Sequence, residues 1–119
     1  MKFEIPGLDV KKAMRLYDND EEILFVVLRS FAANIPTTLN KLRDVSEEDL
    51  PNYKICIHGI KGTSANIGAE DIQNKAAELE ALAKSGNTAE LQKQNGGFIK
   101  QVEDLIQNIN SWLDENDPE

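Results

Sequence analysis

The sequence predicts an all-α fold, an antiparallel up-down four-helix bundle with a short covering helix at its N-terminus. Apolar residues recur every three or four positions through most of the 119 residues, which is the period of an amphipathic helix. No segment alternates apolar and polar residues for long enough to indicate a strand. Because the segments between the predicted helices are short, consecutive helices should pack as antiparallel neighbours.

The first two helices have clear starting residues. Asp9 can cap a short first helix, and Asp20 precedes a long second helix whose apolar stripe reaches Leu42. Pro36 falls inside this stripe, where it should remove one backbone hydrogen bond and kink the helix. Residues 23–28 are apolar on every side. Either the first helix covers the additional face, which is the preferred interpretation, or this face is a docking surface for a partner.

Three further helices complete the predicted bundle. The third spans about 50–67 and should end at Gly68, since glycine commonly terminates helices. The fourth spans about 69–85. The fifth begins after Asn87, which has a glutamate three residues later, as in a capping box. It contains Gly96-Gly97, and each interior glycine costs about 1 kcal/mol relative to alanine, which allows local distortion there.

Composition restricts the class of protein. The formal net charge is −8 and the isoelectric point is about 4.6, which disfavours binding to nucleic acids and anionic lipids and favours protein partners. The single cysteine, Cys56, excludes an intramolecular disulfide and is expected in the core. No apolar run approaches the roughly 20 residues of a membrane span, and residues 1–6 are too polar for a signal peptide. We therefore expect one soluble cytoplasmic domain over residues 1–119, for which a monomer suffices.

The most informative residue is the only histidine, His58. Placed on the third helix at about 100° per residue, it faces away from the apolar stripe. The stripe predicted to face the core comprises Tyr53, Cys56, Ile57, Ile60, Ser64 and Ile67, and the opposite stripe comprises Lys54, His58, Lys61, Gly62 and Ala65. The histidine should therefore be exposed.

An exposed imidazole beside a lysine suits phosphoryl chemistry. An unperturbed imidazole has a pKa of about 6.5, so much of it is neutral and nucleophilic near neutral pH. Lys61 lies three residues after His58, where its ammonium can pair with a phosphoryl group. Gly62 and Ala65 leave a shallow surface for a partner. Because glycine is costly inside a helix, Gly59 and Gly62 both require a reason.

The stretch around His58 resembles the signature of histidine-containing phosphotransfer (HPt) domains. In that family a histidine is followed by Lys-Gly, by small hydroxyl residues and by Gly-Ala. The matching residues here are His58, Lys61-Gly62, Thr63-Ser64 and Gly68-Ala69, with Ile72, Ala76, Leu79 and Glu80 on the next helix and Pro6-Gly7-Leu8-Asp9-Val10 at the start. Gly59 departs from some relatives, which have a bulkier residue there.

The resemblance implies a function and a role for each residue. His58 would carry the phosphoryl group on its outward ring nitrogen, Lys61 would stabilise that group, and Gly62 and Ala65 would admit a receiver domain. Such a domain has no catalytic activity of its own. It passes phosphoryl groups between receiver aspartates, needs no cofactor, and relies on Mg²⁺ supplied by the receiver.

Three other functions are compatible with a small helical domain. The first is a helical adaptor that binds a receiver or another signalling protein without phosphoryl transfer, and it would not need the lysine beside His58. A metal-binding bundle is disfavoured because His58 has no histidine or cysteine partner at ligand spacing. An independent enzyme is disfavoured because no nucleophile–base pair or phosphate-binding loop is evident. Ser64 is expected to hydrogen-bond a backbone carbonyl within its helix.

Overall fold

The computed structural model describes residues 4–116 and confirms the all-α prediction. Residues 1–3, which belong to the segment predicted to be too polar for a signal peptide, and residues 117–119 lie outside the described range. The described chain forms five helices: α1 (Val10–Leu16), α2 (Glu21–Lys41), α3 (Leu50–Ala65), α4 (Glu70–Lys84) and α5 (Thr88–Asn116).

Helices α2 to α5 form the bundle, and α1 packs on α2. Each bundle helix packs against its neighbours in the chain, and α5 closes the arrangement by packing against α2. Helices α3 and α5 are therefore diagonal to one another. Because α3 is flanked by α2 and α4, one face of it points into the core and the opposite face is left to solvent. The bundle is elongated, with principal extents of 45 × 22 × 19 Å.

The helix starts follow the sequence prediction. The side chains of Asp9, Asp20 and Asn87 each accept a hydrogen bond from the backbone amide three residues later, at 3.0, 3.2 and 3.2 Å. These caps satisfy amides that have no partner inside the helix. The capping box at Asn87 is only half formed, because the Glu90 carboxylate accepts from the side-chain amide of Gln94 instead.

The interior proline and glycines do not interrupt their helices. Helix α2 continues on both sides of Pro36, so the proline removes one hydrogen bond without ending the helix. Helix α5 is unbroken through Gly96 and Gly97. A Cβ at either glycine would meet no atom within 4 Å. Neither glycine is therefore required by packing inside the domain.

The turn between α3 and α4 requires a glycine at position 68. Gly68 has φ of +73°, and a Cβ there would lie 2.8 Å from the backbone oxygen of Asp9. The Asp9 amide also donates to the Gly68 carbonyl at 3.1 Å. The hydroxyl of Tyr17, just after α1, donates to the Asn66 carbonyl at 2.8 Å, and Lys12 pairs with Glu70. The N-terminal segment therefore holds this turn at several points.

The apolar segment at the start of α2 is only partly covered. Leu24 and Leu28 are fully buried, as expected for core positions. Ile23 and Val26 remain 45% and 60% exposed. The interpretation that α1 covers the additional face is therefore wrong for these two side chains, and they belong to the outer surface of the bundle.

Helix α2 is long and apolar enough to cross a membrane by length and composition alone, with a mean hydropathy of 1.3. The core helix of a soluble protein meets the same criteria. The stripe of α2 that faces the bundle core comprises Leu24, Leu28, Phe31, Ile35 and Leu39. The core accounts for this stripe, whereas Ile23 and Val26 are apolar residues of the same helix that remain exposed.

A buried polar group fixes the start of α3. The Tyr53 hydroxyl donates to Asn95 Oδ1 at 2.9 Å, and Asn95 Nδ2 donates to the Leu42 carbonyl at 2.6 Å. Burial raises the pKa of the Tyr53 hydroxyl to about 12, so it remains a donor. These bonds join α3, α5 and the end of α2 about one and a half turns before His58.

Candidate functional site

His58 lies on the outer face of α3, as its helical position predicts. Its side chain is 68% exposed, whereas Ile57 and Ile60 on the opposite face are fully buried. The ring is therefore accessible to another protein. Its position on a helix that is packed on two sides gives the ring a rigid base.

Glu80 of α4 holds the imidazole ring. Its carboxylate is only 8% exposed and lies 2.8 Å from His58 Nδ1 through Oε2. The Lys61 ammonium donates to the other oxygen, Oε1, at 2.6 Å. Lys84, one turn further along α4, places its ammonium 3.8 Å from Oε2. One buried carboxylate thus connects the histidine to two lysines.

The charges around Glu80 determine which ring nitrogen is free. The hydrogen bond from Lys61 lowers the Glu80 pKa, and with the hydrogen bond from His58 and the charges of Lys61 and Lys84 it outweighs desolvation. An ionised carboxylate can only accept hydrogen bonds. His58 Nδ1 must therefore carry the proton that it donates to Glu80. In the neutral ring the lone pair is then on Nε2, which faces away from the carboxylate.

Lys61 is half-buried, with a side chain 31% exposed, and its ammonium is bound to Glu80. It is not directed at open solvent beside the ring. The Lys84 side chain is 66% exposed and has the longer contact with the carboxylate. Both cations lie on the α4 side of His58, and their shared partner keeps them there.

The other flank of His58 is open. Gly59 and Gly62 are exposed, and a Cβ on either would meet no atom within 4 Å. Ile55, one turn before His58, is 72% exposed. Ala65 is half-buried. Gly62 therefore lies on a shallow surface with Gly59 and Ile55, and the docking role expected of Gly62 and Ala65 stays a prediction.

A groove between α2 and α3 continues this open flank. Its volume is about 380 Å³, and its walls include Val26, Ser30 and Asn34 of α2 together with Thr63 and Asn66 near the end of α3. Asn34 lines this groove together with Thr63, which is more than one turn further along α3 than His58.

The two hydroxyl residues after Gly62 behave differently from one another. Thr63 Oγ1 contacts the carbonyls of Gly59 and Ile60, at 3.0 and 3.2 Å. Ser64 Oγ is fully buried and has no hydrogen-bond partner in the described structure. The assignment of a carbonyl bond to Ser64 is therefore wrong, because its hydroxyl points into the helix packing. Cys56 is half-buried against the core.

Glu80 is the site residue that sequence reasoning missed. In the sequence, Glu80 stands out only as part of the pattern that resembles the family. A signal was present, because Glu80 lies on the buried face of its helix with Ile72, Ala76 and Ala83. Buried carboxylates generally have a charged or hydrogen-bonding partner. That rule predicts a partner but not its identity, since the pairing depends on how α3 and α4 pack.

The described residues 4–116 contain no group of three or more histidine, cysteine, aspartate or glutamate side chains placed to hold a metal ion. That the chain needs no metal or cofactor of its own stays a prediction. The titratable groups at the site form ion pairs with one another, and these are the groups available for chemistry.

Comparison with known proteins identifies the family. The family model of the Hpt domain matches residues 26–112, which include His58, Lys61, Gly62, Ala65 and Glu80. Searches of the curated proteins and of the solved structures gave no match. Hpt domains are phosphocarriers rather than catalysts. They take part in phosphotransfer in two-component signalling and interact with receiver domains. Since the match covers well over half of its length, the chain belongs to the Hpt domain family.

Proposed function

We propose that this chain accepts a phosphoryl group on His58 from an aspartate of one receiver domain and passes it to an aspartate of another. The observation that carries this proposal is the 2.8 Å contact between His58 Nδ1 and the buried Glu80 carboxylate. It leaves Nε2 as the nucleophilic nitrogen on a side chain that is 68% exposed. We extend the proposal to a cytoplasmic monomer.

The transfer step follows from this geometry. The Nε2 lone pair attacks the phosphorus of the receiver's aspartyl phosphate, and the bond between phosphorus and the aspartate oxygen breaks. The electron pair of that bond returns to the aspartate carboxylate. Phosphoryl transfer requires in-line positioning and charge neutralisation more than covalent chemistry from the protein. Mg²⁺, supplied by the receiver, would provide part of that neutralisation.

Lys61 and Lys84 would provide the remainder. Both ammonium groups lie within 4 Å of the Glu80 carboxylate, and a phosphoryl group on Nε2 would compete with that carboxylate for them. Lys61 is proposed to form the stabilising contact because it lies one turn from His58 on the same helix. Ion pairs with phosphate oxygens are strong charge-assisted hydrogen bonds.

The open flank is proposed as the docking surface for the receiver. Gly62 lies on it, Ala65 lies about two turns beyond His58 on the same face of α3, and Ile55 and Val26 supply exposed apolar side chains. A receiver phosphorylation site is itself acidic, and the lysines beside His58 form a local cationic patch on a chain with net charge −8. Complementary charge at the histidine and apolar contact beside it would favour one docking orientation.

The direct test is phosphoryl transfer from a phosphorylated receiver domain with Mg²⁺, comparing the wild type with His58→Gln. We expect acid-labile, base-stable label on the wild-type chain and none on the variant, with equal helicity by circular dichroism. Loss of helicity in His58→Gln would show a structural role for the ring. Binding to receivers without any label would favour the adaptor.

A further inference from the structure

We propose that Glu80 keeps the Nδ1 proton on the imidazole ring after His58 has been phosphorylated, so that the phosphoryl group later leaves from a ring that becomes neutral imidazole. This inference rests on the proposed function and concerns the second half of the transfer. It assigns Glu80 a positioning role in discharge as well as in the orientation of the free ring.

Phosphorylation of Nε2 makes the Nδ1 proton of the ring easier to lose. When neutral imidazole attacks through Nε2 while retaining its Nδ1 proton, the product ring carries a positive charge beside the negative phosphoryl group. That proton is then more acidic than in the free histidine. Glu80 Oε2 is the acceptor 2.8 Å away and is 92% shielded from solvent, since its side chain is 8% exposed. A charge-assisted hydrogen bond to an ionised, buried carboxylate favours retention of the proton.

Retention of the proton determines how the phosphoryl group can leave. During discharge an oxygen of the acceptor aspartate attacks phosphorus, the bond from phosphorus to Nε2 breaks, and its electron pair returns to Nε2. With Nδ1 protonated, the leaving group is neutral imidazole and no proton from solvent is needed. If Nδ1 had lost its proton, the leaving group would be the imidazolate anion, a far stronger base that leaves poorly. The ring must then be reprotonated before transfer.

Other charged groups near the ring either oppose or favour its protonation at Nδ1. On α3, Lys54 and Lys61 lie on the same face as His58, and on α4 Lys84 lies beside Glu80. Their positive charges oppose protonation of the ring, and the phosphoryl group favours it. Across the groove, α2 presents the uncharged Ser30 and Asn34. Among the described residues, Glu80 is the only carboxylate within ion-pair distance of the ring.

The consequence is a pH dependence that should move when the carboxylate is removed. An adjacent opposite charge moves a titration by about one to three pH units. In Glu80→Gln the phosphorylated ring should therefore lose its Nδ1 proton about one to three pH units lower than in the wild type. Above that point, discharge should slow by about tenfold per pH unit, because the protonated fraction falls by that factor.

The experiment uses the full chain phosphorylated with phosphoramidate, a small donor that needs no docking. Discharge to an unphosphorylated receiver domain with Mg²⁺ is followed across pH, at receiver concentrations that saturate the rate. Because the chain has one histidine, ¹⁵N labelling of histidine reports the protonation of Nδ1 directly. The matched control is Glu78→Gln, the same substitution on α4 at a glutamate that is 66% exposed.

We expect the titration of Nδ1 and the break in the discharge rate to move together to lower pH in Glu80→Gln and to stay in place in Glu78→Gln. Coincident profiles for wild type and Glu80→Gln, or equal displacement in both variants, would overturn the role of Glu80 while leaving the phosphocarrier intact. If the wild-type chain takes no label from phosphoramidate or from a receiver, the proposed function fails, and this inference fails with it.

Discussion

The two flanks of His58 differ in nearly every physical property. On the α4 side, the buried Glu80 carboxylate lies within 4 Å of the imidazole ring and of the ammonium groups of two lysines. On the α2 side, two glycines without packing neighbours lead into a groove bordered by exposed apolar residues. Under the proposed function, the flank on the α4 side sets the chemistry of the ring and the flank on the α2 side contacts the receiver domain. Variants on each flank should therefore have separable effects.

The largest separable effect is expected from the docking flank. The double variant Val26→Ser/Ile55→Ser removes two exposed apolar side chains, and serine has a helix propensity similar to that of both residues. Burying such a side chain in an interface contributes about 1.5–3 kcal/mol. We expect transfer from a limiting receiver to slow by at least about tenfold, with labelling by phosphoramidate unchanged.

The control for that variant is Gln107→Ser, an exposed position on α5, which lies diagonally across the bundle from α3. It should leave both rates unchanged. Equal loss of labelling from the receiver and from the small donor in the double variant would place Val26 and Ile55 in the chemistry and remove the division between the flanks.

Lys61→Ala tests the charged flank. The variant should slow transfer by about tenfold, which corresponds to the loss of one charge-assisted contact of about 1.4 kcal/mol. Because His58 and Lys84 still contact the Glu80 carboxylate when the Lys61 side chain is removed, the melting temperature should fall only slightly. Lys75→Ala is the matched control, since Lys75 is also 31% exposed and pairs with a glutamate of α4. A large fall in melting temperature with normal transfer would instead make Lys61 a structural residue.

The smallest effect is expected from Gly59→Ala, which separates docking from stability. The added Cβ meets no atom within 4 Å, so the variant should stabilise the helix by about 1 kcal/mol. Transfer from a receiver should slow by a few-fold if a partner approaches the helix backbone there. Gly97→Ala on α5 should give the same stabilisation without any change in transfer. Faster transfer in Gly59→Ala would show that this glycine is not part of the docking surface.

The sequence was sufficient for features that depend on one helix. The three caps, the order of the helices and the outward orientation of His58 all follow from local spacing, and the structure confirms them. Features that depend on packing between helices were missed or misassigned. Glu80 could be placed on a buried face but not opposite His58, and the exposure of Val26 depends on where the short α1 ends.

Ser64 shows the same limit at the scale of one side chain. Two adjacent hydroxyl residues in a helix have equal access to preceding carbonyls by sequence. In the structure Thr63 is on the solvent side and makes those contacts, whereas Ser64 faces the buried side. Both hydroxyls have the same local reach to a preceding carbonyl, so the difference between them depends on the packing around the buried Ser64 side chain, which the sequence does not show.

The contacts between the N-terminal segment and the turn at Gly68 bear on the relative position of the two helices that carry the site. His58 and Glu80 lie on the two helices that this turn joins, and Asp9, Lys12 and Tyr17 contact the turn and the first residue of α4. All three residues precede position 26, where the family match begins. The N-terminal segment therefore braces the turn between α3, which carries His58, and α4, which carries Glu80. A polypeptide trimmed to residues 26–112 would keep every site residue and lose these contacts to the turn between α3 and α4.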